Sequence, residues 1–337
     1  MKKLIIFDAD SIIFTVAWKF RTKKSNNLVK LNTNKFISDV LRHANADDYL
    51  GFYGAKDDGD IDTELKINFR YEIDPKYKAN RPITPDFVIK WRPIIHNEFK
   101  SNWGFLPVEG MEADDAVAIA VEKHRKDYDE IIVATFDKDL KQIPDITFYN
   151  MREHKMEKIT KENAAKNFYT QMLMGDSTDN IPGLKGVGKA GAVKILKDCT
   201  TEFSLFRTTV REYKKAFDNV INKKLAFITK EIKDQLADVE IDTSESEYLN
   251  LSGLKLERKI RINNKQILNA EADKLMPGGW KAYFNQQYQL LRMLTKETDD
   301  IVIPEVQKSP VKKVDDDSVF NNQKAISGDD MDKFLTF

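Results

Sequence analysis

The chain has 337 residues, 41% of them hydrophobic, which is enough for two domains or for one large α/β unit with an appendage. Its 54 acidic and 54 basic side chains balance, so overall charge argues neither for nor against a nucleic-acid partner. The single cysteine, Cys199, excludes an intrachain disulfide and a multi-cysteine zinc site. No stretch approaches the roughly 20 apolar residues that span a bilayer, so we expect no membrane contact and a reducing compartment, by default the cytoplasm.

A short apolar strand opens the chain. Residues 4–7 are apolar and Asp8 follows them, as is typical of a buried parallel strand whose carboxyl end faces a site. Asp8 is therefore a candidate ligand. The alternative is that Asp8 caps the helix expected from about Ser11, and Asp10 is a second candidate for that cap. Helical spacing over 34–46 and a strand over 49–53 then indicate β–α–β alternation.

A basic segment with one aromatic residue, DPKYKANRP, occupies residues 74–82. Its prolines favour a loop or a helix entrance. Lys78 and Arg81 are three residues apart and can share one helical face, although such a run is more often a solvated surface. A helix over 87–99, which Pro93 can kink, and a strand over 105–108 are expected next.

Two groups of acids follow. Glu112, Asp114 and Asp115 precede an apolar helix, whereas Asp137 and Asp139 follow the apolar strand over 130–135. The helix dipole stabilises acids in a first turn, but this structural account explains one or two acids better than three. Three crowded carboxylates are more easily tolerated with divalent cations between them. Strands that deliver acids to the same sheet edge indicate a ligand site there.

A further strand is expected over 146–150, after which the pattern becomes mainly helical. Residues 175–197 contain Asp176 and Asp179, followed by a turn with three glycines whose backbone amides can face an anion. Predicted helices cover 164–174, 190–197, 203–217, 220–236 and 280–294, and Arg258, Lys259 and Arg261 form a second basic patch. The aromatic residues of the last helix are interpreted as core.

The tail, residues 304–337, is polar and charge-blocked, which predicts disorder. Its last seven residues, MDKFLTF, place three large apolar side chains at the terminus. This pattern is typical of a short docking peptide, and the alternative is an ordinary frayed terminus.

Eight acids thus fall on four separate segments, each in a loop or at the end of an element. They suit Mg²⁺ or Mn²⁺, since hard cations prefer carboxylate and water oxygens and none of the four histidines adjoins them closely in sequence. Two such ions can activate water and stabilise the leaving oxygen of a phosphodiester. The acids are Asp8, Glu112, Asp114, Asp115, Asp137, Asp139, Asp176 and Asp179.

Five motifs occur in an order that resembles the 5′-nuclease superfamily, particularly the phage 5′-to-3′ exonucleases and the 5′-nuclease domain of bacterial DNA polymerase I. The resemblance covers roughly residues 1–300. The motifs are FDADSIIF (7–14), DPKYKANR (74–81), MEADD (111–115), TFDKDLKQIP (135–144) and GDSTDNIPGLKGVGKAGA (175–192).

The resemblance implies an α/β, PIN-like 5′-nuclease fold with a mainly parallel central sheet flanked by helices. It implies a nuclease core over 1–160 with a helical arch at about 74–100. It also implies a helical subdomain over 161–303 that contains a helix–three-turn–helix at 175–197, followed by the tail over 304–337. A phage or bacterial source, and hence a host cytoplasm for a phage protein, follows from the resemblance alone.

The resemblance also assigns roles. Asp8, Glu112, Asp114 and Asp115 would form the catalytic metal cluster, and the other four acids would complete it toward a second ion. Lys78 and Arg81 would contact the scissile phosphate, and Tyr77 would stack on a terminal base. In the helix–three-turn–helix, turn carbonyls would bind K⁺, and the contacts to the duplex backbone would come from Gly186, Val187, Gly188 and Lys189.

One departure from the family pattern concerns the second strand, which in the family ends in an acid. Tyr53, Gly54 and Ala55 stand at that end here, and Asp57 and Asp58 in the next loop are the nearest substitutes. The sequence therefore predicts a Mg²⁺- or Mn²⁺-dependent 5′-nuclease for duplex DNA ends, nicks or flaps and for RNA in hybrids. The alternative is a non-catalytic DNA-junction scaffold with a degraded metal site. A sliding clamp or a single-strand-binding protein would dock on residues 334–337.

Overall fold

The structure is a computed structural model that describes residues 1–22, 25–55, 68–237, 248, 251–296 and 306–310. No helix in these ranges is both long enough and apolar enough to cross a bilayer. The elements, in chain order, are β1 (Lys3–Asp8), α1 (Asp10–Lys19), α2 (Asn26–Ala44), β2 (Asp48–Gly54), α3 (Arg70–Ile73), α4 (Asp86–Trp103), β3 (Leu106–Val108), α5 (Ala113–His124), β4 (Glu130–Thr135), a 3₁₀ helix (Lys138–Gln142), β5 (Ile146–Asn150), β6 (Lys155–Ile159), α6 (Lys161–Met174), α7 (Lys189–Ile195), α8 (Glu202–Ala237), α9 (Gly253–Asn263), α10 (Lys265–Asp273), α11 (Gly279–Leu291) and β7 (Gln307–Lys308).

A mainly parallel sheet organises the first part of the chain. Its strand order is β3-β2-β1-β4-β5-β6, in which β1 to β5 run parallel and β6 is antiparallel to β5. The predicted α/β fold with a mainly parallel central sheet is confirmed.

Both faces of this sheet are covered by helices, as the alternation of side chains along β1 shows. Ile5 and Phe7 pack with helices α1, α2 and α4, whereas Leu4 and Ile6 pack on the other face with α5. All four side chains are fully buried. A strand that is buried on both faces has no polar alternation, which explains the continuous apolar run at the start of the chain.

The chain order of the strands creates a reversal point. From β1 the chain adds β2 and then β3 on one side, and it returns through α5 to β4 on the other side of β1. In open parallel sheets, ligand sites lie at the carboxyl ends of the strands beside such a reversal. Asp8 ends β1, Gly54 ends β2 and Asp137 follows β4, so these residues border the expected crevice.

Two compact units divide the chain. The first contains Met1–Phe168, Asp176–Ile181 and the described residues from Leu291 on, and the second contains Tyr169–Gly175 and Pro182–Leu290. The boundary therefore lies within α6 rather than after residue 160, where the sequence predicts it. The short segment 176–181 belongs with the first unit, although its neighbours on both sides belong to the second.

Residues 86–100 of the predicted arch do not form a free-standing arch. They belong to α4, which buries Trp91, Ile95 and Phe99 in the core beside α1 and α2. The indole nitrogen of Trp91 also donates a hydrogen bond to the carbonyl oxygen of Phe20 at 3.1 Å. Pro93 lies within this helix without ending it. The basic segment before α4 is therefore the part of the predicted arch that remains outside the core helix.

Other differences from the sequence prediction concern helix lengths and short elements. The two helices predicted over 203–217 and 220–236 are one helix, α8, because no glycine or proline interrupts residues 202–237. Helix α2 starts eight residues before the predicted 34, where the Ser25 hydroxyl accepts a hydrogen bond from the Leu28 N–H. The elements α3, β6, α9 and α10 are absent from the sequence prediction.

Part of the predicted disordered tail is ordered. Gln307 and Lys308 form β7, which pairs antiparallel with Tyr49 and Asp48 at the start of β2. The Lys308 ammonium lies 2.7 Å from a carboxylate oxygen of Asp48. Residues 297–305 and 311–337, which include the predicted docking peptide, lie outside the described residues, as do Asp57 and Asp58.

Candidate active site

The carboxylate of Asp8 lies at the carboxyl end of β1 and is almost fully buried, with 6% of the residue exposed. Its Oδ2 accepts hydrogen bonds from the hydroxyls of Ser11, at 2.6 Å, and Thr135, at 2.7 Å. Burial raises the pKa of Asp8 to about 7, and the charges of Asp10 and Asp137 add to this effect against the two hydroxyls. A nearby positive charge would therefore stabilise the ionised form of Asp8. Asp8 does not cap a helix.

Asp137 follows β4 beside Asp8. Its backbone N–H donates to the Thr135 hydroxyl at 2.9 Å, and its Oδ1 accepts the backbone N–H of Asp139 at 2.8 Å. Desolvation and then the charges of Asp179 and Asp176 raise the pKa of Asp137, against the hydrogen bond from Asp139. The side chain of Asp137 is exposed to solvent at the edge of the sheet. Carboxylates from the ends of two strands and from the segment 176–181 thus come together.

The first turn of α5 brings Glu112 and Asp114 to the same site. Asp114 is half-buried, and burial followed by the charges of Asp115 and Glu112 raises its pKa well above the ordinary value. Burial alone would also raise the pKa of Glu112, but the charges of Lys78 and Arg70 hold it below the ordinary value. The two neighbouring acids therefore differ because only one of them contacts cations directly.

Asp115 lies in the first turn of α5 and forms a buried ion pair. It is fully buried, and Arg70 donates to both of its oxygens, at 2.5 and 2.9 Å. The backbone N–H groups of Glu112 and Leu294 occupy the remaining acceptor positions, at 3.2 and 2.9 Å. A carboxylate offers about four lone-pair directions, and all four are used here. These contacts anchor the start of α5, and the role of Asp115 as a metal ligand and catalytic residue stays a prediction.

Tyr77 lies buried between two of the acids. The residue is 2% exposed, and its ring packs edge-on against Tyr71 with 5.6 Å between ring centroids. Its hydroxyl lies 2.7 Å from Glu112 Oε2 and 2.9 Å from Asp179 Oδ2. In this structure the ring is not accessible for stacking, and the predicted contact of Tyr77 with a terminal base stays a prediction. Tyr77 links two carboxylates through a phenol that carries one proton.

Lys78 and Arg81 project from the basic segment into the acids. Lys78 Nζ pairs with Glu112 Oε1 and lies 3.7 Å from Asp179 Oδ2, while Arg81 pairs with Asp179 Oδ1. The backbone fixes this arrangement as well, because the Lys78 N–H donates to the carbonyl oxygen of Asp179 at 2.9 Å. Lys78 has a φ of 58°, in the left-handed region that lysine rarely adopts. Such a conformation persists only where the surroundings impose it, and it is common at functional sites.

The segment 176–181 is built to present Asp179. Asp176 and Ile181 exchange two backbone hydrogen bonds of 2.7 Å, which close a tight loop. Asp176 Oδ1 accepts the backbone N–H of Thr178 at 2.8 Å and that of Asp179 at 3.3 Å. Asp176 thus orders the loop through one of its oxygens. Asp139 joins the group through its backbone contact to Asp137.

The donor set fits a hard divalent cation, because it consists of carboxylates, three of which have a pKa raised first by burial and then by the charges of their neighbours. Among the described residues, no three acidic, histidine or cysteine side chains are arranged as a ready ligand set. Lys78 and Arg81 supply positive charge between Glu112 and Asp179 instead. The acids that would hold ions at this site are Asp8, Glu112, Asp114, Asp137, Asp139, Asp176 and Asp179, and of these Glu112 and Asp179 also pair with the basic side chains.

The glycine turn lies in the second unit. Gly183 has a φ of 58°, and a Cβ there would come within 2.3 Å of the Gly175 nitrogen, so the close approach of the two backbones requires glycine. Its N–H donates to the Gln287 side chain at 3.2 Å. Gly186 and Gly188 are exposed, with no atom within 4 Å of where a Cβ would stand. Together with half-buried Val187 and exposed Lys189, they leave a stretch of backbone open to a close-approaching ligand.

Sequence reasoning missed Arg70, Ser11 and Thr135. The signal for Arg70 is weak, since a single arginine before the basic segment resembles a surface residue. Ser11 and Thr135 stand next to candidate acids in the motifs, and small hydroxyl side chains at such positions commonly orient a carboxylate.

Comparison with known proteins gives relatives for this arrangement. Residues 3–169 match the family described as 5′-3′ exonuclease, N-terminal resolvase-like domain. The chain is 27% identical over 334 residues to DNA polymerase I of Bacillus subtilis, covering 90% of this chain and 36% of that protein. It is 28% identical over 221 residues to the 5′-3′ exonuclease of Aquifex aeolicus, covering 61% of this chain and 74% of that protein. The chain thus spans about a third of the polymerase.

Solved structures give two further similarities. The T5 5′-exonuclease with bound zinc is 17% identical with a TM-score of 0.48, and the match covers 87% of this chain and 99% of that one. The catalytic core of Rad2 in complex with a DNA substrate is also 17% identical, with a TM-score of 0.42, and the match covers 81% of this chain and 91% of that one.

Proposed function

Because this chain belongs to the 5′-nuclease superfamily, we propose that it is a divalent-metal-dependent 5′-3′ exonuclease or flap endonuclease that hydrolyses DNA. One observation carries the proposal: carboxylates from the ends of β1 and β4, the start of α5 and the loop 176–181 meet around Lys78 and Arg81. The site combines crowded carboxylates with the two cationic side chains of Lys78 and Arg81. This combination suits a phosphodiester, since it offers both metal ligands and counter-charge for the phosphate.

Two Mg²⁺ or Mn²⁺ ions held by these acids would supply the Lewis-acid chemistry of phosphodiester hydrolysis. The chain's own residues do the positioning. Arg70 fixes Asp115 and thereby the first turn of α5, so that Glu112 and Asp114 face the site. The hydroxyls of Ser11 and Thr135 hold Asp8 in one orientation.

The basic residues act on the substrate in this proposal. Lys78 and Arg81 stand at the acids on a backbone that Asp179 fixes, so their charges would face the scissile phosphate. Cations placed there before the reaction offset the charge that develops on the phosphate oxygens. The exposed turn at Gly186, Val187, Gly188 and Lys189 would bind the duplex backbone, with K⁺ at the turn carbonyls. Contacts of this kind read DNA structure rather than sequence.

The proposed substrates are duplex DNA with 5′ ends, nicks or flaps, and RNA in RNA–DNA hybrids by the same backbone chemistry. Cleavage of a 5′-labelled flap duplex by the full chain, measured with Mg²⁺, Mn²⁺ or EDTA, tests the proposal. Asp137→Asn removes an exposed carboxylate of the site and should reduce cleavage by about 100-fold. Asp218→Asn, an exposed acid on α8 that pairs with Lys214, is the matched control and should leave cleavage unchanged.

The second candidate is a non-catalytic junction-binding scaffold, which the absence of an acid at the end of β2 favours. Binding of the flap duplex without release of any product in either metal would establish the scaffold and overturn the nuclease. A related proposal concerns residues 334–337, which would dock on a sliding clamp or a single-strand-binding protein. Deletion of residues 328–337 should then weaken that binding and preserve cleavage, and unchanged binding would end the docking proposal.

A further inference from the structure

The end of β2 is unusual among the neighbouring strand ends, because Gly54 offers no side chain there. β1 ends in Asp8, and Asp137 follows β4. The register of the sheet pairs Asp8 with Phe52, so Gly54 lies two residues further along toward the crevice. A carboxylate on residue 54 would therefore project beside Asp8.

A carboxylate from another element occupies that place. Oδ1 of Asp10 accepts a hydrogen bond from the Gly54 N–H at 3.1 Å. A Cβ added to Gly54 would lie 3.1 Å from Oδ2 of Asp10, which is tighter than nearly all real contacts of a Cβ. The side chain of Asp10 and a side chain on residue 54 would thus compete for one space, and the glycine leaves that space to Asp10.

Asp10 has no competing structural task among the described residues. The residue at the N-cap of α1 is Ala9, and the helix start shows no side-chain cap hydrogen bond, so Asp10 is not the predicted cap. Its Oδ2 receives no hydrogen bond from any described residue, and the same holds for Oδ1 of Asp8. Both carboxylates therefore keep one oxygen for another partner, and each is held by its other oxygen.

We propose that Asp10 supplies the carboxylate that β2 lacks and ligates, together with Asp8, a divalent cation at the end of the sheet. This inference rests on the proposed metal-dependent function. Mg²⁺ and Mn²⁺ take carboxylate oxygens, and two aspartates provide them here, Asp8 at the end of β1 and Asp10 at the start of α1. Asp10 thus brings a carboxylate to the end of β2, where Gly54 offers none.

Mn²⁺ binding to the full chain, followed by electron paramagnetic resonance and calorimetry, tests the proposal without reference to activity. Asp10→Asn keeps an oxygen that can accept the Gly54 N–H and removes the charge. We expect it to weaken Mn²⁺ binding by about tenfold or more, since even partners that only orient a ligand contribute 10- to 100-fold. The control Glu153→Gln, an exposed acid in the β5–β6 turn, should bind Mn²⁺ as the parent chain does.

A double variant separates ligation from folding. The variant Asp10→Ala/Gly54→Asp removes the carboxylate of residue 10 and places one on residue 54, at the end of β2. Gly54 is not in the left-handed region, so an aspartate fits its backbone. Mn²⁺ affinity should return to within about threefold of the parent, as expected when the ligand charge is kept. Gly54→Ala alone should weaken binding, because its Cβ displaces Asp10.

The outcomes distinguish this inference from the proposed function. Cleavage by the parent chain together with unchanged Mn²⁺ binding in Asp10→Asn would overturn the role of Asp10 and leave the nuclease intact. Tight Mn²⁺ binding that depends on Asp10, without cleavage of any DNA substrate, would support the role of Asp10 and overturn the nuclease. Absence of Mn²⁺ binding in the parent chain would overturn both.

Discussion

Arg70 and Asp115 form a doubly hydrogen-bonded ion pair, with distances of 2.5 and 2.9 Å, in which the two residues are 2% and 0% exposed. Arg70 also donates to the carbonyl oxygen of Arg292 at 3.1 Å, and Asp115 accepts the N–H of Leu294. The pair therefore joins α3, the start of α5 and the segment after α11. The pair thereby stabilises the start of α5, where Glu112 and Asp114 lie.

Removing one partner of this pair should destabilise the first unit strongly. Arg70→Met leaves the Asp115 charge buried without its main partner, which costs about 3–5 kcal/mol of unfolding free energy. Denaturant unfolding measures the loss. Lys35→Met is the matched control, because Lys35 is 65% exposed at the side chain and pairs with Asp39 on the surface, where the loss should stay below about 1 kcal/mol. Equal losses in the two variants would contradict the supporting role.

Tyr77→Phe should weaken the protein although it keeps the ring. The substitution leaves Glu112 and Asp179 without the hydroxyl between them, which should cost about 1–3 kcal/mol of unfolding free energy. Tyr71→Phe, on the exposed partner ring, is the control and should cost little. If Tyr77 instead stacked on a DNA base, the phenylalanine would preserve both stability and DNA binding, so equal stability of the parent and Tyr77→Phe would refute the buried link.

The pH dependence of stability without divalent cations should report Asp8. Its pKa rises from 3.8 to about 7 on folding, so in this range the folded chain keeps a proton that the unfolded chain has released. The contribution of Asp8 to stability is therefore largest below about pH 4, falls as the pH rises, and reaches its minimum above about pH 7. Asp8→Asn should remove this decline when unfolding is measured between these limits in EDTA. If the stability of the parent chain and that of Asp8→Asn declined in parallel over this pH range, the pKa of Asp8 would not be raised in the folded chain.

Gly183→Ala should disrupt the turn in the second unit. Alanine would adopt a φ of 58° and place its Cβ 2.3 Å from the Gly175 nitrogen, so backbone must move. We expect a loss of at least about 3 kcal/mol of unfolding free energy. Gly186→Ala shares the left-handed backbone, with a φ of 83°, but meets open space and should cost about 1 kcal/mol. A loss at Gly183 no larger than at Gly186 would show that the backbone approach is not tight.

The sequence predicted the sheet well because strands buried on both faces carry continuous apolar runs, as residues 4–7 do. It also located the acids, since a residue that follows such a run must emerge at the carboxyl end of the sheet. The ion pair of Asp115 was missed because its partner Arg70 lies 45 residues earlier, and local spacing carries no information on that contact. The burial of Tyr77 was missed for a similar reason: its two acceptors are 35 and 102 residues away.

The end of β2, which carries Gly54 and no acid, shows the same limit of prediction from local sequence. Gly54 indicates by its sequence alone that an acid is absent, and the sequence favoured Asp57 or Asp58 in the adjoining loop as the substitute. Among the described residues, the carboxylate that accepts the Gly54 N–H comes from residue 10, which is 44 residues earlier in the chain. Only the parallel pairing of β1 with β2 brings the two positions together.

The pairing of β7 with Asp48 and Tyr49 determines where residues 306–310 lie relative to the acids. These residues start β2, whereas the acids gather where the parallel strands end. The six-residue advance from Asp48 to Gly54 corresponds to about 20 Å along a strand. Residues 306–310 are thus held at the opposite end of β2 from the acids, and in the proposed nuclease they would leave the edge that carries the acids open to DNA.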